Sequence, residues 1–173
     1  MAFSLQPTLE NELIILRPLV TNDFEELYQV AKDPLIWEQH QNPDRWKKMV
    51  FKEFFKGAID SKAAFAVIDK STNVIIGSTR FKLSEKSSSA IEIGWTFLSR
   101  NYWGGTYNRS FKTLLITYAL QYFDNVLFLV NENNFRSQKA VRKLGGKLAH
   151  ELDTDLSYLE DERKGALTFI LRK

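Results

Sequence analysis

Five consecutive apolar residues, Val126-Leu-Phe-Leu-Val130, constrain this chain more than any other stretch. A strand with one wet face alternates apolar and polar side chains, so an unbroken apolar run of strand length belongs in a sheet covered on both faces. Just upstream, Phe111, Leu114, Leu115, Tyr118 and Tyr122 form a stripe at helical spacing, in a helix expected to run to about Phe123. Ahead of that helix, Ile91 to Leu98 reads as a strand. Strand, helix, strand in this order implies a right-handed crossover, with the two strands parallel and the helix N-terminus near the strand ends.

The turn into that helix is Arg100-Asn-Tyr-Trp-Gly-Gly-Thr-Tyr-Asn-Arg109. The first N–H groups of a helix have no internal partner, and with the positive end of the helix dipole they make a site for an anion such as a phosphate. Two glycines at a strand-to-helix turn are consistent with such a site, but most glycine pairs only turn the chain. From Arg100 to Lys147 there are eight basic residues (Arg100, Arg109, Lys112, Arg136, Lys139, Arg142, Lys143, Lys147) against Asp124 and Glu132, in a chain of net charge +3. This segment reads either as two solvated helix faces or as a basic rim beside a polyphosphate site.

The rest of the chain supplies further layers. A first strand is expected from Glu12 to Arg17, then a helix capped by Thr21 and running to Lys32, with Phe24, Leu27, Tyr28 and Ala31 on its apolar face. An irregular stretch from Leu35 to Pro43 leads to a second helix, Asp44 to Ile59. Ala63–Ile68, Val74–Leu83 and Ile91–Leu98 read as an antiparallel meander, with Asp69-Lys-Ser-Thr-Asn73 as the hairpin turn. In the third of these strands, alternation puts Ile91, Ile93, Trp95 and Phe97 on one face and Glu92, Gly94 and Thr96 on the other. Asn134 to Leu144 forms the last helix, stopped by Gly145-Gly146. Lys147–Glu151 and Ala166–Leu171 read as closing strands around an acidic loop from Asp153 to Glu162.

A length of 173 residues, 44% hydrophobic, suits one domain spanning 1–173. The absence of cysteine excludes disulfides, thiolate metal sites and cysteine nucleophiles. His40 and His150 lack metal-ligand spacing and read as surface residues, so no metal is expected. No run of about 18 apolar residues is present and the N-terminus lacks a signal-peptide pattern, which gives a cytoplasmic expectation with no membrane partner.

Pattern alone gives α/β or α+β, a mixed sheet with helices on its faces and an antiparallel front half. The order of elements, with Leu16-Arg-Pro-Leu19, Glu92-Ile-Gly94, Tyr102-Trp-Gly104 and Asn134-Phe-Arg-Ser137 leading to Leu144-Gly145, resembles the GCN5-related N-acetyltransferases (GNAT). These runs are similar to the branch containing the ribosomal-protein N-terminal acetyltransferases. The resemblance implies a central, mostly antiparallel sheet with one parallel pair, flanked by helices. The family's phosphate loop usually reads Gln or Arg, two residues, Gly, one residue, then Gly or Ala; here Asn101 and Thr106 take the first and last places, and the second glycine stands at Gly105. Many relatives carry a tyrosine as general acid seven residues after the asparagine, where this chain has Val141.

By that resemblance acetyl-coenzyme A is the cofactor, attacked directly by a substrate amine. Backbone groups of Trp95, Thr96, Phe97 and Leu98 would bond the pantetheine amides, and one N–H there would stabilise the oxyanion. Trp103, Gly104, Gly105, Thr106, Tyr107, Asn108 and Arg109 would hold the pyrophosphate, and Asn134 would fix the arm. Glu92 matches the family's base position and Ser137 the serine near the coenzyme sulfur, while Trp37 and Trp46 fall in the region expected to contact the acceptor. A protein or peptide N-terminus, a polyamine, an amino sugar and a free amino acid all remain open as acceptors, as does a homodimer. Two other classes are weighed: a coenzyme-binding module without transfer activity, and a nucleic-acid-binding protein, disfavoured because the basic segment carries no RNA-stacking motif.

Overall fold

In the computed structural model, which describes residues 2–152 and 154–173, the chain runs β1 (Leu9–Glu10), β2 (Ile14–Pro18), α1 (Phe24–Ala31), α2 (Lys48–Asp60), β3 (Ala64–Asp69), β4 (Val74–Leu83), β5 (Ala90–Leu98), α3 (Tyr107–Ala119), β6 (Asn125–Asn131), α4 (Phe135–Lys143), β7 (Lys147–Leu148) and β8 (Ala166–Arg172). Met1, and Asp153 at the head of the expected acidic loop, lie outside the described residues. The strands form one mixed sheet in the order β1-β2-β3-β4-β5-β6-β8-β7. β5 and β6 are its parallel pair, joined through α3, and the other pairings are antiparallel.

Side-chain alternation assigns the helices to faces. Phe65 and Val67 of β3 and Val126, Phe128 and Val130 of β6 pack with Phe111 and Leu115 of α3 and Val141 of α4. Ala64, Ala66 and Ile68 of β3 point the other way, against Leu27 and Ala31 of α1 and Phe51, Phe55 and Ala58 of α2. On that same side Leu127 and Ile170 are covered by Ala149, Leu156 and Leu159. β6 is thus buried on both faces, as its apolar run requires.

The β5–β6 pairing is short. It spans Ala90↔Asn125, Ile91↔Val126 and Glu92↔Leu127, after which β6 stays with β8 and β5 with β4. Beyond Glu92 the two parallel strands therefore part, leaving an opening in the middle of the sheet.

Several expectations are corrected. Alternation in β5 breaks at a bulge: Ser78 pairs with Phe97 but Arg80 with Gly94, so Thr79 faces two residues, and Trp95 takes the left-handed value φ 51°. The extra residue shifts the parity of the positions after it. Thr96 then turns to the α3 side, where Lys112 reaches it, while Phe97 joins Trp37 and Phe51 on the α1–α2 side. Thr21 does not cap α1; instead the buried Asp23 accepts the Val20 N–H at 2.9 Å and binds both Nη atoms of Arg17 at 2.7 and 2.8 Å. The Leu16-Arg-Pro-Leu19 run thereby pins the start of α1 to β2. α3 ends at Ala119 rather than Phe123, α2 begins only at Lys48 after a 3-10 turn, and β7 is two residues long.

Candidate active site

The turn from β5 to α3 leaves its donors open. Gly104 adopts φ 73°, a left-handed conformation that favours glycine, and an added Cβ at Gly104 or Gly105 would meet nothing within 4 Å. Thr106 precedes α3 without capping it through its side chain, and no acidic residue stands in the first turn. Among the described residues, the N–H groups from Gly104 to Arg109 donate to no protein acceptor, whereas Ser110 N–H already reaches the Thr106 carbonyl at 2.8 Å. Six backbone donors at a helix start, with the dipole behind them, fit a phosphate. Trp103 is different: its N–H donates to the Arg100 carbonyl at 3.0 Å and its indole N–H to the Leu98 carbonyl at 2.8 Å. Tyr107 turns away, packing on Tyr102 and facing Asp69.

Half of the basic segment is neutralised or buried, while Arg109, Lys139, Lys143 and Lys147 are exposed. Arg100 pairs with Asp33, Arg136 with Glu38 and Arg142 with Glu151, and Lys112 is buried. Lys112 lies one position from Phe111 and three and four from Leu115 and Ile116, so helical spacing places it on the apolar stripe. Its Nζ donates to Thr96 Oγ1 at 2.6 Å and lies 5.2 Å from the Phe128 ring centroid, and burial brings its pKa down to about 7.

Glu92 lies at the last residue of the parallel pairing, where the strands part. It is 9% exposed. Burial pushes its carboxyl up to about 7, against the opposing pull of Lys82, Arg163 and Lys112. Gly94 makes room for it: a Cβ there would sit 2.9 Å from Glu92 Oε1. That contact gives the Glu92-Ile-Gly94 run a physical reason. A half-exposed, solvated glutamate is thus excluded, and a carboxyl that titrates near neutrality is suited to general base work.

On the far side of the opening, Asn134 caps α4, its Oδ1 accepting the Ser137 N–H at 3.1 Å. Ser137 stands half-buried in the first turn of α4. Val141 is core, and a Cβ on Gly146 would lie 2.5 Å from its Cγ1, so the position that carries tyrosine in many relatives is closed by packing. Phe97 and Leu98 are also core side chains, leaving only their backbone for a ligand.

The two tryptophans expected at the acceptor do not line a common site. Trp37 is 2% exposed, with its indole N–H on the Ala31 carbonyl at 2.7 Å, and forms an interior wall. Trp46 is exposed beside Lys47. Instead, three residues that sequence patterns did not assign to a site converge on Phe54 and Trp37. Arg45 lies 4.4 Å from the Phe54 centroid, Arg80 lies 5.8 Å from it and 4.8 Å from that of Trp95, and His40 packs edge-on against Trp37. His40, read as a surface residue, is half-buried, and burial with Arg45 nearby brings its pKa down to about 4. Arg80 carried a legible signal, an arginine inside a strand otherwise rich in buried residues.

Comparison with known proteins bears on the fold and the family. No curated protein matches the chain by sequence. Similar solved structures include a GCN5-related N-acetyltransferase from Brucella melitensis (17% identity, TM-score 0.74, covering 96% of this chain and 79% of that one). A GNAT-family acetyltransferase from Bacillus anthracis is 14% identical with TM-score 0.73, over 96% of this chain and 98% of that one. A spermidine N-acetyltransferase from Vibrio cholerae, in complex with coenzyme A and spermine, is 13% identical with TM-score 0.66, over 94% of this chain and 96% of that one. These likenesses establish the fold. The sequence profile of the acetyltransferase (GNAT) domain matches residues 14–147, from β2 to the start of β7, and the chain belongs to that family of acyltransferases.

Proposed function

We propose that this chain moves an acetyl group from acetyl-coenzyme A to a primary amine of a small molecule or a protein N-terminus, by direct attack. The observation that carries the reading is the combination of a β5 edge without a strand partner beyond Glu92 and an α3 start with unpartnered N–H groups. The residues fit the coenzyme: Gly104 to Arg109 would hold its pyrophosphate, the backbone of Trp95 to Phe97 its pantetheine arm, and Asn134 the far side. When bound, acetyl-coenzyme A supplies an acetyl group activated as a thioester. Glu92 takes the proton from an incoming ammonium, since only a neutral amine is a nucleophile. Ser137 presents a hydroxyl as proton source in the first turn of α4, the role that Val141 cannot fill. The runs Leu16-Arg-Pro-Leu19 and Asn134-Phe-Arg-Ser137 support placement in the ribosomal-protein N-terminal acetyltransferase branch, acting in the cytoplasm.

A thiol-release assay over a panel of amines and peptides, with thermal shift by acetyl-coenzyme A, tests the reading. Stabilisation together with release is expected. Stabilisation without release on any acceptor would leave a coenzyme-binding module. Binding to nucleic acid that falls steeply with salt and ignores the coenzyme would favour the third class. The ion pairing of Arg100, Arg136 and Arg142 speaks against that last outcome.

A further inference from the structure

Two guanidinium groups, those of Arg45 and Arg80, lie near the Phe54 ring on the α1–α2 side of the sheet. Arg80 lies on β4 opposite Gly94, two residues along β5 from Glu92, so Arg80 and Glu92 leave the sheet on the same face. Arg45 reaches the same place from the 3-10 turn Pro43–Trp46. The guanidinium carbons lie over aromatic rings, Arg45 at 4.4 Å from the Phe54 centroid and Arg80 at 4.8 Å from that of Trp95, contacts that pair neither charge with an anion. Among the described residues neither arginine has an ion-pair partner, although eleven other pairs form elsewhere in the chain. Arg80 Nε is buried with no acceptor at all. Burial, and for Arg45 the charge of Arg80, brings both down to about 10.

His40 adds an independent observation. Its Nδ1 accepts the Asn42 N–H at 3.0 Å, which leaves the proton of the neutral ring on Nε2, yet Arg45 Nη1 stands 3.1 Å from that Nε2. A neutral imidazole has one donor and one acceptor nitrogen, so one of these contacts sets N–H against N–H. An oxyanion accepting from both Arg45 and His40 resolves the conflict, and two cations, of which only Arg80 feels a nearby carboxylate, that of Glu92, draw such a group in.

We propose that Arg45 and Arg80, with His40, form an anion subsite in the acceptor cleft, so that the amine acetylated here carries a carboxylate or phosphate group. The inference rests on the acetyl-transfer reading and narrows it. A polyamine is then a poor acceptor, repelled by the same two charges, whatever the acidic surface of the 154–162 segment attracts.

The test compares matched acceptors on the intact protein: glutamate with its α-amide and with glutamine, glucosamine 6-phosphate with glucosamine, and spermidine. The expected result is a kcat/KM at least about 10-fold higher for the anionic member of one pair, and which pair responds separates carboxylate from phosphate. Arg80→Gln and Arg45→Gln should raise KM for that acceptor about 10- to 100-fold, the worth of a charge-assisted hydrogen bond, with affinity for acetyl-coenzyme A unchanged by calorimetry. Equal turnover of charged and neutral members by the native protein, or preference for spermidine, overturns the proposal without needing either variant to fold. Coenzyme binding with no release on any acceptor would instead overturn the acetyl-transfer reading beneath it. Loss of coenzyme affinity in the arginine variants would assign these cations to the coenzyme and overturn the acceptor subsite.

Discussion

Replacing Glu92 by Gln separates the base role from a structural one, because the two make opposite demands on stability. The buried carboxyl titrates at about 7 against an ordinary 4.5, so between these values the folded chain binds more protons than the unfolded one. Stability therefore falls as pH rises through that window, and the cost is complete above it. At about 1.4 kcal/mol per pH unit, ionised Glu92 costs about 3 kcal/mol at pH 8 and nothing at pH 4. Glu92→Gln keeps the shape and drops the charge. Differential scanning should find the variant and the native chain equally stable at pH 4, and the variant higher in Tm by roughly 6–12 °C at pH 8, taking about 2–4 °C per kcal/mol for a chain of this size. Thiol release should move the other way, kcat/KM falling by about 10²-fold and losing its rise through pH 7, since general bases contribute roughly that much. A variant with full rate from pH 6 to 9 would remove Glu92 from the chemistry. A Tm difference independent of pH would refute the burial argument itself.

Further substitutions address the glycine loop, the buried amine and the end of α4. Gly104→Ala forces a Cβ onto a φ of 73° and should cost about 1–2 kcal/mol with weaker coenzyme binding, whereas Gly105→Ala, with φ in the ordinary range and no protein atom within 4 Å of the added Cβ, should leave stability unchanged; denaturant titration distinguishes them, and calorimetry with coenzyme A checks the binding. Lys112 has a folded-state pKa of about 7, below its ordinary 10.5, so the folded chain binds fewer protons across that window and stability rises with pH through it. Lys112→Met should accordingly compare best with the native chain at pH 7 and below and worst at pH 10, where loss of the bonds to Thr79 and Thr96 across the bulge is no longer offset by removal of the buried charge; urea titrations at the two pH values check it. Gly146→Ala should cost about 1–3 kcal/mol by pressing on Val141, and Val141→Ala in the same chain should recover part of that in a denaturant titration.

The elements were legible in the sequence because they depend on local period and punctuation. The apolar run at Val126–Val130 is a strand, the polar stretch after Asp69 turns β3 into β4, and the glycine pairs at 104–105 and 145–146 stand at the start of α3 and the end of α4. What escaped depends on contacts between distant segments. Nothing in the letters around Trp95 marks a left-handed residue, because a bulky side chain is disfavoured there and only the surrounding sheet holds it. Lys112 and the rim arginines looked alike as charges, and only tertiary packing separates a buried amine from residues neutralised by Asp33, Glu38 and Glu151. Arg45 and Arg80 are 35 positions apart and meet only because α2 lays Phe54 across β4.

The bulge at Trp95 ties the two halves of the site to one another. A left-handed bulky residue costs of the order of 1–2 kcal/mol, so something on each side must hold it. From the α3 side, Lys112 Nζ binds Thr96 Oγ1 at 2.6 Å and Thr79 Oγ1 at 3.3 Å, clamping the bulged strand to its partner across the extra residue. From the other side, the Arg80 guanidinium lies on the Trp95 ring. The bulge lies in the part of β5 that has left β6, so it bends the strand where the proposed pantetheine arm would lie. The same irregularity brings Trp95 onto the face that carries Glu92 and Arg80, against which an acceptor would lie. Regular alternation would have put Trp95 in the α3 core and a threonine beside Arg80, with no indole ring for the guanidinium to lie on. The free β5 edge and the Trp95–Arg80 surface therefore both follow from a single backbone conformation.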